Sequence, residues 1–166
     1  HVPKHQTLNA PDSIILHQFA GDGRPGDAFI SRESGLQEFW MAHAVLRIFR
    51  ILADSAYGNN TVFVSLYKRR PGEPALPLTR RLFNSIHSKP RAVGVENGYS
   101  QIVMNWPFLD NKKAMKMEKS PVIAYWTLGV WLTNLLTCTH GWNQASLYFD
   151  CSPPTLDDFL NKTLEL

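Results

Sequence analysis

The chain contains very little cysteine: Cys138 and Cys151 are the only two among 166 residues. A scaffold held together by disulfides needs several pairs, so a hydrophobic core must hold this fold together. A single bridge between the two thiols is conceivable. However, the strand predicted between them would carry Cys151 about 20 Å from the preceding helix. A disulfide needs Cα atoms within about 7 Å of each other. Both the bridged and the free form therefore stay open.

Recognisable catalytic motifs are also missing from the sequence. There is no G-x-S-x-G element; the only i,i+4 pair among the six histidines, His1 and His5, lies in the predicted tail, and no Cys/His ligand spacing occurs. The segment Gly21 to Gly26 matches G-x-G-x-x-G, but Pro25 interrupts it and the next helix signal comes only at Ser34, so a loop is favoured. We predict no metal, no cofactor and no catalytic residue. One enzymatic alternative is a small secreted hydrolase with a site near Asp22, Asp27 and His43.

Acidic residues are fewer than basic ones, 14 against 17, and the formal charge is +3. Much of the excess is clustered around two predicted loops, and a rim of this kind binds acidic partners. We predict contacts to a partner through Lys68, Arg69, Arg70, Arg80, Arg81, Lys112 and Lys113. A polyanion such as RNA is the alternative to a protein partner.

Charge is absent from residues 121–139, a stretch long enough to cross a membrane. Thr127, Thr133 and Asn134 dilute its hydrophobicity, so we predict a buried helix and no membrane span. The chain begins at His1 and not at Met, which leads us to expect a processed chain. Asn59 and Asn161 each begin an N-x-T glycosylation pattern, which favours a secreted, extracellular location.

Two stretches of the sequence share one order of elements. Each has an apolar strand (13–20 and 99–106), a long helix (36–53 and 121–137) and a second strand (61–69 and 145–151). The second strands share a triplet, Ser65-Leu66-Tyr67 and Ser146-Leu147-Tyr148. This periodicity predicts an internal duplication.

Two β-α-β units predict an α+β fold, a two-layer α/β sandwich of ferredoxin-like type with one sheet and two long helices on one face. Residues 1–12 are predicted to be a tail, and 13–166 a single domain. Within it we expect unit one at 13–70, a connector at 71–91 with a short helix at 79–87, unit two at 92–151 and a C-terminal helix at 155–165. The β-α-β-β-α-β order also invites comparison with RNA-recognition modules, with residues 97–104 at the stacking strand.

The helix at 36–53, the turn Tyr57-Gly58-Asn59-Asn60 and the strand at 61–69, repeated at 121–151, resemble small secreted proteins of filamentous fungi that are treated as effectors. The resemblance implies an extracellular, non-catalytic protein that binds a host target, as a virulence effector does. Its contacts would be made by an exposed sheet edge or by the basic loops.

Overall fold

A computed structural model describes residues 4–21, 26–69, 71–110 and 121–164. The chain divides into two compact units. The terminal unit comprises His1–Arg24 and Val93–Leu166, and the middle unit comprises Pro25–Ala92. The longest helix, α3 (Leu78–Asn105), belongs to the middle unit as far as Ala92 and to the terminal unit from Val93 onward.

The terminal unit begins with a β-hairpin. Strands β1 (Lys4–Asn9) and β2 (Ile15–Gly21) are antiparallel, with Lys4 opposite Gly21 and Leu8 opposite His17. The turn between them is closed by Asp12, whose Oδ1 accepts from the Ile14 N–H at 3.0 Å. Residues 1–12, which the sequence predicted to be a tail, thus contain strand β1. Gln6 of this strand is buried.

The core of the terminal unit forms where helix α4 (Val122–His140) packs on β2, on the last turns of α3 and on the 3₁₀ turn Pro107–Leu109 that follows α3. Its buried centre is Ile15, Ile102, Leu109, Trp126 and Val130. Gly129 allows close approach there, because a Cβ at this position would run into the Leu109 side chain.

The helix predicted at 121–137 is confirmed as α4. Pro121 precedes its first residue, and Gly141, whose positive φ of +78° favours glycine, ends it. The predicted C-terminal helix is present as α6 (Leu156–Leu164), where the Thr155 hydroxyl accepts from the Asp158 N–H at 3.2 Å.

The middle unit contains two short helices, a two-stranded parallel sheet and the first part of α3. Helices α1 (Asp27–Glu33) and α2 (Leu36–Ala42) are separated by Gly35, which has φ of +64°. Strands β3 (Ile51–Ala53) and β4 (Phe63–Ser65) pair with Ile51 opposite Phe63. Ile30, Leu36, Trp40, Val62 and Phe63 are the large apolar side chains buried in this unit.

The single helix predicted at 36–53 is wrong. The chain leaves helical geometry at His43, makes a 3₁₀ turn at Leu46–Ile48 and then enters β3. A helix over this whole stretch would have to bury apolar side chains on nearly every side. The shorter α2 instead buries Leu36 and Trp40, one turn apart, and Val45 and Ile48, which follow the helix, are exposed.

Two of the predicted strands are also wrong. Residues 99–106 belong to α3 except for Trp106, and residues 145–149 form most of α5 (Gln144–Phe149). Tyr99, Ile102, Val103 and Trp106 are spaced by three, one and three, so they make one helical stripe toward the core. The RNA-module comparison fails for the same reason, and the short helix predicted at 79–87 is part of the longer α3.

The mixed α/β character of the chain is confirmed. The ferredoxin-like duplicated sandwich is not, because the four described strands form two separate two-stranded sheets. The shared triplets illustrate the difference. Ser65 ends a strand, whereas Ser146, Leu147 and Tyr148 lie inside a helix.

Candidate functional site

The surface beside β4 in the middle unit is organised around Tyr67. The Asn84 side chain, on α3, accepts from the Tyr67 N–H and donates to the Tyr67 carbonyl, both at 2.9 Å. An amide side chain in this position imitates the edge of a neighbouring strand. It thereby satisfies both backbone groups of a residue that follows the last strand of the sheet.

The same face of α3 surrounds the Tyr67 ring. Arg80 Cζ lies 4.9 Å from the ring centroid, and the Phe83 ring meets Tyr67 edge-on at 5.4 Å between centroids. His87 continues the row, 4.3 Å from Phe83. Since Arg80, Phe83 and His87 are one helical turn or two apart, α3 holds them in a line. A guanidinium over an aromatic ring is oriented while its N–H groups stay available to carboxylate or phosphate oxygens.

Exposed cations lie on both sides of this arrangement. Lys68 and Arg69 directly follow Tyr67 in the chain, and Arg81 follows Arg80. We call Tyr67, Lys68, Arg69, Arg80 and Arg81 the basic surface. Every charged residue between Glu73 and Glu96 is basic, so the helical side of this surface carries one sign of charge.

Asp54 is an acidic residue near the basic surface, and its carboxylate already has hydrogen-bond and ion-pair partners. Asp54 accepts from the Ala56 N–H at 3.0 Å and receives Arg91 Nη1 at 3.1 Å. The backbone hydrogen bond from Ala56 chiefly lowers the pKa of Asp54, and Ser55, Arg91 and Lys68 lower it further against a partial burial penalty. This carboxylate therefore stays ionised and anchors Arg91.

The structure brings four of the seven predicted contact residues to the basic surface: Lys68, Arg69, Arg80 and Arg81. Arg70, Lys112 and Lys113 lie outside the described residues. The sequence prediction missed Tyr67 and Asn84, which position the cations. The sequence signal that indicates an organised helical face here is the Arg80-x-x-Phe83-Asn84-x-x-His87 spacing, which places all four side chains on one side of the helix.

Asp27 and His43 are the residues of the hydrolase alternative that lie among the described residues. His43 Nδ1 contacts the Phe39 carbonyl oxygen at 2.7 Å, and its ring packs on Phe39. Burial, followed by the charges of Asp27 and Asp54, raises the pKa of Tyr57 to about 12. The carboxylate of Asp27 therefore interacts electrostatically with Tyr57. Asp22 lies outside the described residues.

Both cysteines are free thiols. Cys138 is buried in α4, and this burial, followed by the charge of Asp12, raises the pKa of its thiol. A thiol with a raised pKa is a poor nucleophile. Within the described ranges, no group of three His, Cys, Asp or Glu side chains could hold a metal ion.

The two glycosylation patterns lie in different settings. Asn59 is exposed in the turn before β4, where its Oδ1 accepts from the Ser65 N–H at 2.7 Å. This bond uses the side-chain oxygen of Asn59. The side-chain nitrogen, to which a glycan would be attached, takes no part in it. Asn161 is exposed on helix α6.

Helix α4 is long and apolar enough to cross a membrane, and it is the only such helix in the described segments. Trp126 and Val130 of this helix pack against Ile102 and Leu109, as in the core helix of a globular unit. This packing is consistent with the prediction that α4 does not span a membrane.

The chain matches no known protein-family model, and no significant similarity links it to a curated protein or to a solved structure.

Proposed function

We propose that this protein is a non-catalytic interaction protein that binds an acidic partner through the basic surface. The observation that supports the proposal is the placement of Arg80 over Tyr67, with Tyr67 itself fixed by both hydrogen bonds of Asn84. A guanidinium held over an aromatic ring is preorganised. Preorganisation lowers the entropic cost of binding, so it is typical of contact residues.

Binding to three immobilised acidic probes, heparin, single-stranded RNA and a poly-glutamate peptide, tests the proposal at several salt concentrations. We expect affinity for at least one probe to fall steeply with salt. An Arg80→Gln/Arg81→Gln variant should weaken that binding and reduce the slope of log affinity against log salt by about 2, one for each lost contact.

The matched control is Arg47→Gln/Arg50→Gln, which removes the same charge from two exposed positions of the same unit. It should bind as the wild type does, apart from a small general effect of net charge. Equal losses in both double variants, or no binding to any probe, would refute a dedicated basic surface.

We also propose that the protein is secreted, as its resemblance to effector-like proteins implies, with Asn59 as the glycan acceptor. The exposed turn around Asn59 supports this. When the chain is expressed through a eukaryotic secretory pathway, Thr61→Ala should remove one glycan mass without altering Asn59 itself. A medium fraction that carries no enzymatically removable glycan, or a Thr61→Ala mass equal to that of the wild type, contradicts the assignment.

A further inference from the structure

Strand β4 of the middle unit has one edge that pairs with β3 and one edge that faces away from it. The Ile51 N–H donates to the Val62 carbonyl at 2.8 Å, so the even-numbered residues of this segment direct their backbone groups toward β3. Phe63, Ser65 and, just beyond the strand, Tyr67 direct theirs the other way. We call the backbone of these three residues the outer edge.

The turn before β4 covers the first part of the outer edge with two asparagine side chains. Asn60 Oδ1 accepts from the Phe63 N–H at 2.7 Å, and the Asn60 N–H donates to the Phe63 carbonyl at 3.0 Å. Asn59 Oδ1 accepts from the Ser65 N–H at 2.7 Å. Side-chain amides thus stand where a neighbouring strand would otherwise donate and accept.

A third asparagine covers the rest of the outer edge. Asn84, on α3, accepts from the Tyr67 N–H and donates to the Tyr67 carbonyl, both at 2.9 Å. We call the side chains of Asn59, Asn60 and Asn84 the asparagine caps. An uncovered strand edge is a template for pairing with another chain, and the caps occupy the N–H groups that such pairing uses.

The segment that carries the outer edge is strongly β-forming. Residues 61–67, Thr-Val-Phe-Val-Ser-Leu-Tyr, contain no charge, no proline and no glycine. Uncharged runs of about six or seven residues with this composition pair with copies of themselves. Lys68 and Arg69 follow directly, at the position where natural sequences place charged residues beside such runs. The composition therefore favours an identical segment as the partner of this edge.

Charge and register together favour an antiparallel pair. In a parallel, in-register pair, Lys68 and Arg69 would lie beside their own copies, and like charges in that position repel. In an antiparallel pair centred on Ser65, the cations lie at opposite ends, and Phe63 of one copy faces Tyr67 of the other as an aromatic pair. Each facing pair of outer-edge residues then exchanges two hydrogen bonds.

We propose that the outer edge is a pairing surface for a second copy of this chain, and that the asparagine caps keep it closed in the monomer. Once the caps are displaced, two copies pair antiparallel across a two-fold axis at Ser65, and this symmetry ends the assembly at a dimer. The inference does not depend on the acidic partner of the proposed function, because it uses the backbone of the outer edge and not the cations.

Sedimentation velocity of the intact, unglycosylated chain over a range of concentrations tests the pairing. The wild type should remain a monomer at concentrations where an Asn59→Ala/Asn84→Ala variant forms a dimer. The association constant of this variant should rise about 25-fold, roughly fivefold for each cap that no longer competes with the second copy. Adding Tyr67→Pro removes an N–H that the pair needs on both copies, so the triple variant should return to monomer.

Two further measurements separate an opened edge from a general loss of stability. Asn134 pairs with Ile15 in the terminal unit, so Asn134→Ala destabilises the chain but leaves the outer edge capped, and it should stay monomeric. In the double variant, exchange of the Ser65 and Tyr67 amide hydrogens should slow as the protein concentration rises, because the second copy covers them. Far-UV circular dichroism should show each variant folded.

Three outcomes overturn the inference. The first is a folded double variant that stays monomeric at every concentration. The second is a dimer that survives Tyr67→Pro, or whose Ser65 and Tyr67 amides exchange independently of concentration, because its contact then lies elsewhere. The third is equal dimerisation of Asn134→Ala, which would trace the effect to lost stability. Where the double variant does not fold, Asn84→Ala alone decides by the same criteria, with an expected rise of about fivefold.

Discussion

In each of the two units an asparagine side chain pairs with both backbone groups of a residue distant in sequence, but the two pairs differ in burial. In the terminal unit, Asn134 on α4 accepts from the Ile15 N–H at 2.9 Å and donates to the Ile15 carbonyl at 3.0 Å. In the middle unit, Asn84 on α3 makes the same pair of bonds to Tyr67. The first amide is 5% exposed and joins a hairpin to the core helix, whereas the second is only partly buried and places a residue of the basic surface.

The comparison teaches that one local geometry can serve stability or function, depending on burial. A buried backbone group that loses its partner cannot turn to water and carries the full cost of desolvation. A group near the surface exchanges its partner for water at small cost. Asn134 should therefore matter chiefly for folding, and Asn84 chiefly for how the basic surface is arranged.

The largest expected effect is that of Asn134→Ala. It leaves the Ile15 N–H and carbonyl buried without this partner, so the free energy of unfolding should fall by about 3 kcal/mol. Urea unfolding followed by tryptophan fluorescence measures it, since four of the five tryptophans, 106, 126, 131 and 142, lie in the terminal unit. Thr139→Ala, at an exposed site on the same helix, should cost little. A loss below about 1 kcal/mol for Asn134→Ala would break the comparison.

The next effect concerns pH and the terminal unit. His5 stacks on Trp126 at 4.2 Å, neither ring nitrogen has a hydrogen-bond partner among the described residues, and burial lowers the pKa of His5 to about 4. The folded state thus favours the neutral ring. The contribution of this site to the free energy of unfolding is complete above about pH 6.5, the pKa of histidine in the unfolded chain. It is lost as the pH falls toward 4.

The loss over that pH range should be about 1–2 kcal/mol, because solvent screens part of the half-buried ring. Unfolding at pH 7 and at pH 4.5 measures it. His5→Phe keeps the stacking but should remove this part of the pH dependence, whereas His43→Gln should leave it unchanged. A His5→Phe variant as sensitive to acid as the wild type would show that another group is responsible.

A smaller effect is expected for Asn84→Ala. The free energy of unfolding should fall by about 1 kcal/mol, because water can reach the partly buried backbone of Tyr67. The functional effect should be larger: exchange of the Tyr67 amide hydrogen should quicken, and binding to the acidic probes should weaken although no charge is lost. Ser88→Ala, on the exposed part of the same helix, is the control. Unchanged probe binding would mean that Asn84 does not organise the basic surface.

The smallest effect should come from Arg91→Gln. The ion pair between Arg91 Nη1 and Asp54 Oδ2 is 3.1 Å long but is partly exposed on both sides. Exposed pairs of this kind contribute about 0.5 kcal/mol or less. Denaturant unfolding should therefore barely distinguish this variant from the wild type, and a loss above about 1 kcal/mol would show that the middle unit depends on surface charge more than the terminal unit does.

Sequence reasoning was accurate where the determining contacts are local. Helix α4 was predicted from its uncharged run, which lies almost wholly within the helix, and α6, which begins beside Thr155, likewise depends on near neighbours. It failed where β-branched and aromatic residues could serve either helix or strand. Ile102 and Val103 favour a strand by type, yet their spacing from Tyr99 and Trp106 fits one helical face and the core behind it.

The candidate site shows the same difference between residues found from the local sequence and residues brought together only by the fold. Arg80 and Arg81 could be found from the clustering of charge along the chain. Tyr67 and Asn84 are 17 residues apart and become partners only when α3 is placed beside β4. Their pairing carries no local signature beyond the common face of Arg80, Phe83, Asn84 and His87.

The amino-acid sequence alone determined the positive charge, the mixed α/β class, the existence of α4 and the exposed cations, because composition, periodicity and helix ends depend on near neighbours. Tertiary structure alone decided that residues 36–53 divide into helix, turn and strand, that Asn84 and Asn134 each pair with a distant backbone, and that Arg80 lies over Tyr67. The physical reason is that a buried polar group must find its partner wherever packing places it, and that position is set by the whole fold.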